Sequence, residues 1–229
     1  MSEMRIALIA EGVTDQVIIE CALKAILRRP FIPILLQPEP THPGVSGGWG
    51  GVFKWCDAFR QHGYDTLEDD PRLGLFDLIL VHLDADVAEK SYADYGPAVV
   101  QSATALPALP CSRQCPPASD TVNVLRILLL AWLGLHKAGP KTVFCIPSKA
   151  TEAWLASALL PENHRLLTEI ECNFSVETGL SQLPKDQRIQ KNVRTYRSRG
   201  TNITDQWEKV RRLCSQATVF QHDIEAITL

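Results

Sequence analysis

The sequence predicts an α/β fold in which a central parallel sheet of about four strands is flanked by helices. Short apolar segments alternate along the chain with segments whose apolar residues recur at helical spacing. The short segments are apolar throughout instead of alternating with polar residues, which is typical of strands buried on both faces of a parallel sheet. Together these two observations favour a sheet covered by helices on both sides.

Four segments are predicted to be the strands. The first covers residues 4–10 (MRIALIA), and the second covers residues 31–37 (FIPILLQ), where Pro33 favours the beginning of a strand or an edge position. Residues 76–83 (FDLILVHL) give the strongest strand pattern, and residues 141–147 (KTVFCIP) form the fourth.

The intervening segments are predicted to be helices. Thr14 and either Ser119 or Asp120 are candidate N-caps, while Gly63 and Gly139 are candidate helix ends. The predicted helices cover residues 14–29, 52–63, 119–139, 150–160 and a last stretch near 204–217.

The chain is predicted to form one catalytic domain with two elaborations. Prolines crowd residues 87–119, which are expected to form a helical or irregular insertion. The catalytic domain is assigned to residues 1–160, and residues 161–229 are expected to form a basic C-terminal extension packed on the same domain.

Composition indicates an ordinary globular protein. The chain has 229 residues, 45% hydrophobic and 21% charged, with a net charge of −3, so there is no global attraction to nucleic acid or membrane. No signal peptide is recognised at the N-terminus, and the longest apolar run, Val124–Leu135, is well short of the ~20 residues that a bilayer needs. A cytoplasmic location without membrane contact is expected.

The cysteines favour the same compartment. There are seven, an odd number, and most are isolated inside apolar patterns, which suggests reduced thiols. Cys111 and Cys115 are the one close pair, and His136 is a conceivable further zinc ligand. A flexible proline-rich loop with two free thiols is the better interpretation.

Acidic residues follow three of the predicted strands. Glu11 comes directly after the first strand, Asp84 and Asp86 come directly after the third, and Glu152 lies shortly after the fourth. Asp15 lies four residues beyond Glu11. Because parallel strands bind their ligands outside their carboxyl ends, these acids are expected to collect at one edge of the sheet.

A divalent cation would resolve the repulsion among these carboxylates. Mg²⁺ prefers carboxylate and water oxygens, and such sites commonly serve phosphate-ester chemistry. Mn²⁺ is an alternative ion. Asp15 and Glu152 also suit the first turn of a helix for electrostatic reasons alone, and an Asp-x-Asp pair alone is common. His82, inside the third strand, is interpreted as a core residue, and the glycine-rich residues 42–51 as a plain loop or a phosphate-approaching one.

Three short motifs resemble one family. "IALIAEGVTDQVIIE" and "FDLILVHLDADV" resemble the two signature motifs of the Toprim domain, which topoisomerases, primases and OLD-type nucleases share. "SKATEAWLAS" resembles a helix of small stand-alone Toprim-like bacterial proteins, the DUF4276 and RloB-like group, often associated with phage defence. The resemblance covers roughly residues 4–160 and implies a Toprim-like, Rossmann-like sheet.

The resemblance implies a role for each matched acid. Glu11 would be a metal ligand or a general acid/base, and Asp84 and Asp86 would bind Mg²⁺. Asp15 matches a position that helps to hold a second metal in OLD-type nucleases, and Glu152 would complete the site.

One departure from the family pattern narrows the branch. Topoisomerase-type sites often carry a third Asp where this chain has Ala88, which disfavours that subtype and leaves the nuclease-like branch. That branch also uses a lysine near the metals, for which Lys191 or Lys185 is a candidate.

A basic segment at residues 185–212 could contact a polynucleotide. It holds nine of the chain's 23 basic residues, interleaved with Tyr196 and Trp207, which suits phosphate neutralisation and base stacking. A solvated surface helix is the plain alternative. The candidate nucleic-acid-binding residues are Lys185, Arg188, Arg194, Arg197 and Arg199.

These observations predict a Mg²⁺-dependent Toprim nuclease that hydrolyses DNA or RNA in bacterial anti-phage defence. Glu11, Asp84, Asp86 and Lys191 are the candidate catalytic residues, and an ABC/AAA-type ATPase is the candidate partner protein. Two alternatives stay open: phosphoryl transfer on a small nucleotide, and a degenerate module that binds nucleic acid or an ATPase without cleavage.

Overall fold

Four parallel strands form the sheet, as the sequence predicts, and the structure shows their order to be β2–β1–β3–β4. The strands are β1 (Met4–Ile9), β2 (Phe31–Gln37), β3 (Leu78–His82) and β4 (Thr142–Cys145). This computed structural model describes residues 3–38 and 47–228. Residues 42–46 of the predicted glycine-rich loop therefore lie outside the described residues.

Helices cover both faces of the sheet, which confirms the predicted α/β class. The first five are α1 (Val13–Leu27), α2 (Trp49–Arg60), α3 (Pro97–Ser102), α4 (Ala118–Leu133) and α5 (Glu152–Leu159). The C-terminal ones are α6 (Val176–Ser181), α7 (Val193–Asp205), α8 (Trp207–Leu213) and α9 (Ser215–Thr228).

The two faces have separate apolar cores because successive strand side chains point to opposite sides. Ile6, Leu8 and Leu80 face α1, α5 and helices α7 to α9. Ile79 and Val81 face α2 and α4. The C-terminal helices thus supply much of one core, with α7 packed against α1 and α5.

Several predicted helix ends differ from the observed ones. Helix α1 follows Gly12, so Thr14 lies inside the helix and is not its N-cap. Helix α4 begins at Ala118 and ends before Gly134, whose φ of 71° ends the helix five residues ahead of Gly139.

The predicted last helix near 204–217 is wrong as one continuous element, because the chain breaks at Gln206 and again at Cys214. Cys214 takes an extended conformation, and its buried sulfur lies 3.4 Å from Ser157 Oγ. Tertiary packing against α5 therefore outweighs helical continuity at this position.

One pair of cysteines contradicts the expectation of reduced thiols. Cys115 and Cys172 form a disulfide with their Cα atoms 5.6 Å apart. Their sequence separation of 57 residues gave no spacing signal. The predicted loop with two free thiols is therefore wrong for Cys115, while Cys111 is free and half-buried.

Within residues 3–38 and 47–228, no helix has the length and apolar character needed to cross a bilayer.

Candidate functional site

The acids gather at the point where the strand order reverses. The chain runs from β1 outward to β2 and then returns to β3 on the other side of β1. The connections that leave β1 and β3 therefore diverge, and such a switch point is where open α/β sheets form a ligand crevice. Glu11 and Asp84 lie there side by side: the backbone N–H of Asp84 donates a hydrogen bond of 2.7 Å to Glu11 Oε1.

Three buried side chains form a group that could hold a metal ion. Asp15, His82 and Asp84 each offer one ligand atom, and these atoms all lie within 4.8 Å of one another. Asp15 comes from the first turn of α1, and His82 and Asp84 come from the end of β3. Two carboxylates and an imidazole are common metal ligands, so the composition of the group suits a divalent cation.

His82 reaches this group through the period of the strand. It is two residues from Leu80, whose side chain faces α1, so the imidazole points to the same side. Its Nε2 lies 3.1 Å from Asp84 Oδ1, and its Nδ1 is buried without a hydrogen-bond partner among the described residues. Burial lowers the pKa of His82, but Asp84 and the other nearby acids outweigh it and raise the pKa overall.

Thr151 joins two of the acids from the start of α5. Its hydroxyl donates to Asp15 Oδ1 at 2.7 Å, and its backbone N–H donates to Asp84 Oδ1 at 3.2 Å. The first backbone N–H groups of a helix have no partner inside the helix, so a carboxylate suits this position. The beginning of α5 therefore fixes the relative placement of Asp15 and Asp84.

Glu152 lies in the same region but has different partners. Its side chain is completely buried. Its Oε1 accepts a hydrogen bond of 2.8 Å from the Tyr196 hydroxyl and forms an ion pair with Lys191 Nζ at 3.0 Å. Lys191 also pairs with Glu177 at 3.0 Å. The second oxygen of Glu152, Oε2, is buried without a hydrogen-bond partner among the described residues.

The protein alone does not neutralise this group of acids. Burial raises the pKa of Glu11 well above its usual range, and the charges of Asp84 and Asp15 raise it further. Burial is also the main cause that raises the pKa of Asp15. The pKa of Asp84 rises to about 7, because burial and the neighbouring acids outweigh the opposing effect of His82. Full ionisation of all three would need further positive charge.

Asp86 differs from its neighbour Asp84 in exposure. Its side chain is 37% exposed and lies 3.3 Å from Lys90 Nζ. Both aspartates line a cavity of about 110 Å³, together with Lys149, Phe174 and Lys191. The cavity therefore lies beside the buried Asp84 and the more exposed Asp86.

The structure brings most of the predicted acidic site together. Glu11, Asp15 and Asp84 are linked directly or through Thr151, while Lys191 pairs with Glu152, the residue that follows Thr151. In the basic segment, the side chains of Lys185, Arg188, Arg194 and Arg197 are exposed, and that of Arg199 is half-exposed.

The predicted stacking role of two aromatic residues is wrong. Tyr196 is buried against Glu152, and Trp207 is buried with its ring edge against Trp154. Both side chains belong to the core beneath the C-terminal helices. Neither one is available to stack on a base.

Sequence reasoning missed His82 and Thr151 as parts of the site. The period of β3 contained a usable signal, because His82 and Asp84 are two residues apart and must point to the same side. No local pattern marks Thr151, whose partner Asp15 is 136 residues away.

Comparison of the chain with known proteins finds no matching family model, no matching curated protein and no matching solved structure.

Proposed function

We propose that this protein is a metal-dependent nuclease that hydrolyses phosphodiester bonds of DNA or RNA. The observation that carries the proposal is the group of buried acids at the switch point, with Asp15, His82 and Asp84 close enough to share one ion. The resemblance of the surrounding motifs to Toprim nucleases supports the same reaction class. It also extends the proposal to anti-phage defence and to an ABC/AAA-type ATPase partner.

Asp15 and Asp84 would hold the ion, with Glu11 and Asp86 beside them. Mg²⁺ prefers oxygen ligands, and an imidazole among the donors favours Mn²⁺ or another transition metal. The proposal is therefore activity with Mg²⁺ and at least equal activity with Mn²⁺. When bound, such an ion neutralises phosphate charge and lowers the pKa of a water molecule.

The protein's own groups would manage protons and the remaining charge. Glu11, whose pKa is raised by burial and by the neighbouring acids, is the candidate general acid that would protonate a leaving oxygen. Lys191 lines the cavity and carries a positive charge, since its neighbours Glu152 and Glu177 oppose the effect of burial and raise its pKa. It would lie where negative charge develops on the phosphate.

The size of the cavity supports one of the enzymatic alternatives over the other. At about 110 Å³ it is smaller than the ~300–1,000 Å³ typical of pockets that enclose a small molecule. It suits a phosphate group and an ion better than a whole nucleotide. This favours a phosphodiester in a longer chain over phosphoryl transfer on a small nucleotide.

A binding module without cleavage is the second candidate. It is favoured by the partners that the acids already have: Glu11 Oε1 accepts from Asp84, and Asp84 Oδ1 accepts from Thr151. If these bonds persist when nucleic acid is bound, the acids would act as structural groups. The two candidates differ in whether the wild-type protein cleaves nucleic acid at all or only binds it.

The test replaces Asp84 with Asn, which keeps the shape and removes the charge. Wild type should bind Mn²⁺ in calorimetry and cut oligonucleotides in Mn²⁺. Asp84→Asn should lose at least about 100-fold in both, because loss of even a hydrogen-bond partner of a metal ligand costs about 10–100-fold. Asp223→Asn is the matched control, because Asp223 pairs with Arg126 between α9 and α4. Equal cleavage by Asp84→Asn would refute the metal site, and binding without any cleavage would favour the binding module.

A further inference from the structure

Lys149 occupies an unusual position beside the acids. It lies between β4 and α5, its side chain is only 6% exposed, and it lines the same cavity as Asp84 and Asp86. Its backbone carbonyl accepts a hydrogen bond of 3.1 Å from the N–H of Asp86, which fixes the backbone of the two segments together. A buried ammonium therefore lines the cavity that leads to the candidate metal group.

The ammonium of Lys149 has no hydrogen-bond partner among the described residues. Its nearest acid, Glu89, is 3.7 Å from Nζ, which is beyond hydrogen-bond distance. Lys191, in contrast, has two carboxylate oxygens at 3.0 Å. An ammonium that is mostly buried and has, in the described part of the chain, only one loose ion pair, with Glu89, is suited to an anion that enters the cavity.

Phe174 lies directly against this lysine. Lys149 Nζ is 3.8 Å from the centroid of the Phe174 ring, and the Phe174 residue is 59% exposed. The ammonium lies over the ring and attracts it through a cation–π interaction. Much of the ring surface stays accessible. The exposure alone does not single out Phe174, since Ile127 and Leu75 are at least as exposed; what distinguishes Phe174 is its position at the cavity, against the ammonium of Lys149.

The backbone that carries Phe174 is anchored on two sides. Cys172 is bonded to Cys115, and Glu171 accepts hydrogen bonds from Ser148 and from the Gln216 N–H, the latter at 3.1 Å. Ser148 immediately precedes Lys149, so the same contacts hold both members of the pair. The exposed ring is therefore presented by a fixed segment next to the cavity.

We propose that Lys149 and Phe174 form the substrate-contacting pair of the site, with Lys149 binding a phosphate and Phe174 stacking on the neighbouring base. Such stacking needs a base whose face is free, so the preferred substrate is single-stranded nucleic acid. The part that concerns cleavage rests on the proposed function. The part that concerns binding stands without it.

The experiment measures binding of fluorescent oligonucleotides with phosphorothioate linkages, in Mn²⁺, single-stranded and as a duplex. Phe174→Leu should weaken single-strand binding about 10-fold, which corresponds to ~1.4 kcal/mol and lies within the range for one stacked base. Phe174→Tyr, which keeps an aromatic ring, should bind the single strand with an affinity within about twofold of the wild type. Lys149→Met should reduce the slope of log affinity against log salt concentration by about 1, which corresponds to one lost phosphate contact. Lys149→Arg should keep the wild-type slope.

A spectroscopic readout separates stacking from a structural role. A series of 2-aminopurine substitutions along the single strand should show one position quenched by the wild type and released in Phe174→Leu. Ile127→Ala on α4 is the control, because Ile127 is comparably exposed, at 64%, and lies on the other face of the sheet from α5. Unchanged melting temperatures confirm that each variant is folded.

The possible outcomes show whether this inference fails, the proposed function fails, or both fail. Duplex binding equal to single-strand binding, or Phe174→Leu binding like wild type, overturns the inference even if cleavage is observed. No binding of any oligonucleotide overturns it together with the nuclease. Single-strand binding with quenching but without cleavage in any metal supports the pair and removes only the nuclease.

Discussion

Thr151 shows how one side chain can set the geometry of several acids. Its hydroxyl and its backbone N–H contact Asp15 and Asp84, which come from different elements. A buried carboxylate has lost its bound water, and hydrogen bonds from the protein replace that hydration. Removal of one such donor leaves an oxygen unpaired and costs free energy. Thr151 therefore supports the candidate metal group without being a ligand itself.

Replacing Thr151 with Val tests this role. Val has nearly the same shape, but it leaves Asp15 Oδ1 without its donor, so we expect a loss of about 1–3 kcal/mol in the free energy of unfolding. Mn²⁺ affinity should fall as well, because the orientation of Asp15 is no longer fixed. Urea unfolding and calorimetry measure the two effects.

Thr151→Ser is the matched control for that experiment, because it keeps the hydroxyl. It should remain close to wild type in Mn²⁺ affinity. The interpretation fails if Thr151→Val is as stable and binds Mn²⁺ as tightly as the wild type.

At this scale the sequence predicts the acids better than their partners. Glu11, Asp84 and Asp86 follow apolar strands, so the rule for parallel sheets places them without any distance information. Tyr196 and Thr151 could not be placed, since their contacts with Glu152 and Asp15 span 44 and 136 residues. Such contacts depend on how helices pack, which hydrophobic periodicity does not specify.

At the scale of elements, the contact between α1 and α7 needs a residue without a side chain. A Cβ at Gly200 would lie 2.8 Å from Cys21 Sγ, closer than carbon and sulfur can approach. Gly200 therefore lets α7 pack directly on the helix that carries Asp15. This contact brings Tyr196 and Lys191 over Glu152.

A double-mutant cycle measures that contact. Gly200→Ala should destabilise the wild type by about 1 kcal/mol or more, since overpacking outweighs the better helix propensity of Ala. In the Cys21→Ala background the clash is absent, so the same change should be neutral or stabilising. Chemical unfolding of the four proteins gives the coupling energy, and additive effects would contradict the packing argument.

Element boundaries show where prediction from sequence fails. Gly134 ends α4 earlier than expected because it adopts φ of 71°, which few other residues adopt at low cost. The break at Cys214 depends on its contact with Ser157, 57 residues away. Local patterns identify an element more reliably than they identify its ends.

At the scale of the whole molecule, the buried acids couple stability to pH. Glu11, Asp15 and Asp84 have raised pKa values, so the folded protein binds more protons than the unfolded chain does above about pH 4. The raised pKa of His82 acts in the same direction above about pH 6.5. Stability without metal should therefore fall as pH rises from about 4 through the pKa of Asp84, which is about 7.

We expect the free energy of unfolding in EDTA to decrease by a few kcal/mol between pH 5 and pH 8. Mn²⁺ should reduce or abolish this decrease, because it binds the ionised carboxylates of the folded protein. In the absence of metal, Asp84→Asn should make the decrease in the free energy of unfolding between pH 5 and pH 8 smaller. A stability that rises with pH, or that responds equally with and without Mn²⁺, would count against a metal group at these acids.

The edges of the sheet carry a separate consequence for the whole chain. At one edge, β4 packs against α9, which also contacts α4. At the other edge, Pro33 of β2 is opposite Ile6 of β1. The Arg5 N–H donates to the Asp77 side chain, and the Arg5 C=O accepts from the Asp77 N–H, directly before β3. Because backbone groups of successive strand residues point to opposite sides, the N–H and C=O of the next residue, Ile6, point toward β2.

In a parallel pair, Ile6 bonds to the residues on either side of its partner Pro33. The nitrogen of Pro33 therefore points away from β1, toward the outer side of β2. That nitrogen has no hydrogen to offer to a strand from another molecule. The proline thus costs the sheet no internal hydrogen bond and leaves one fewer donor on the outer side of β2. We expect it to disfavour edge-to-edge self-association, a property unrelated to the acids at the switch point.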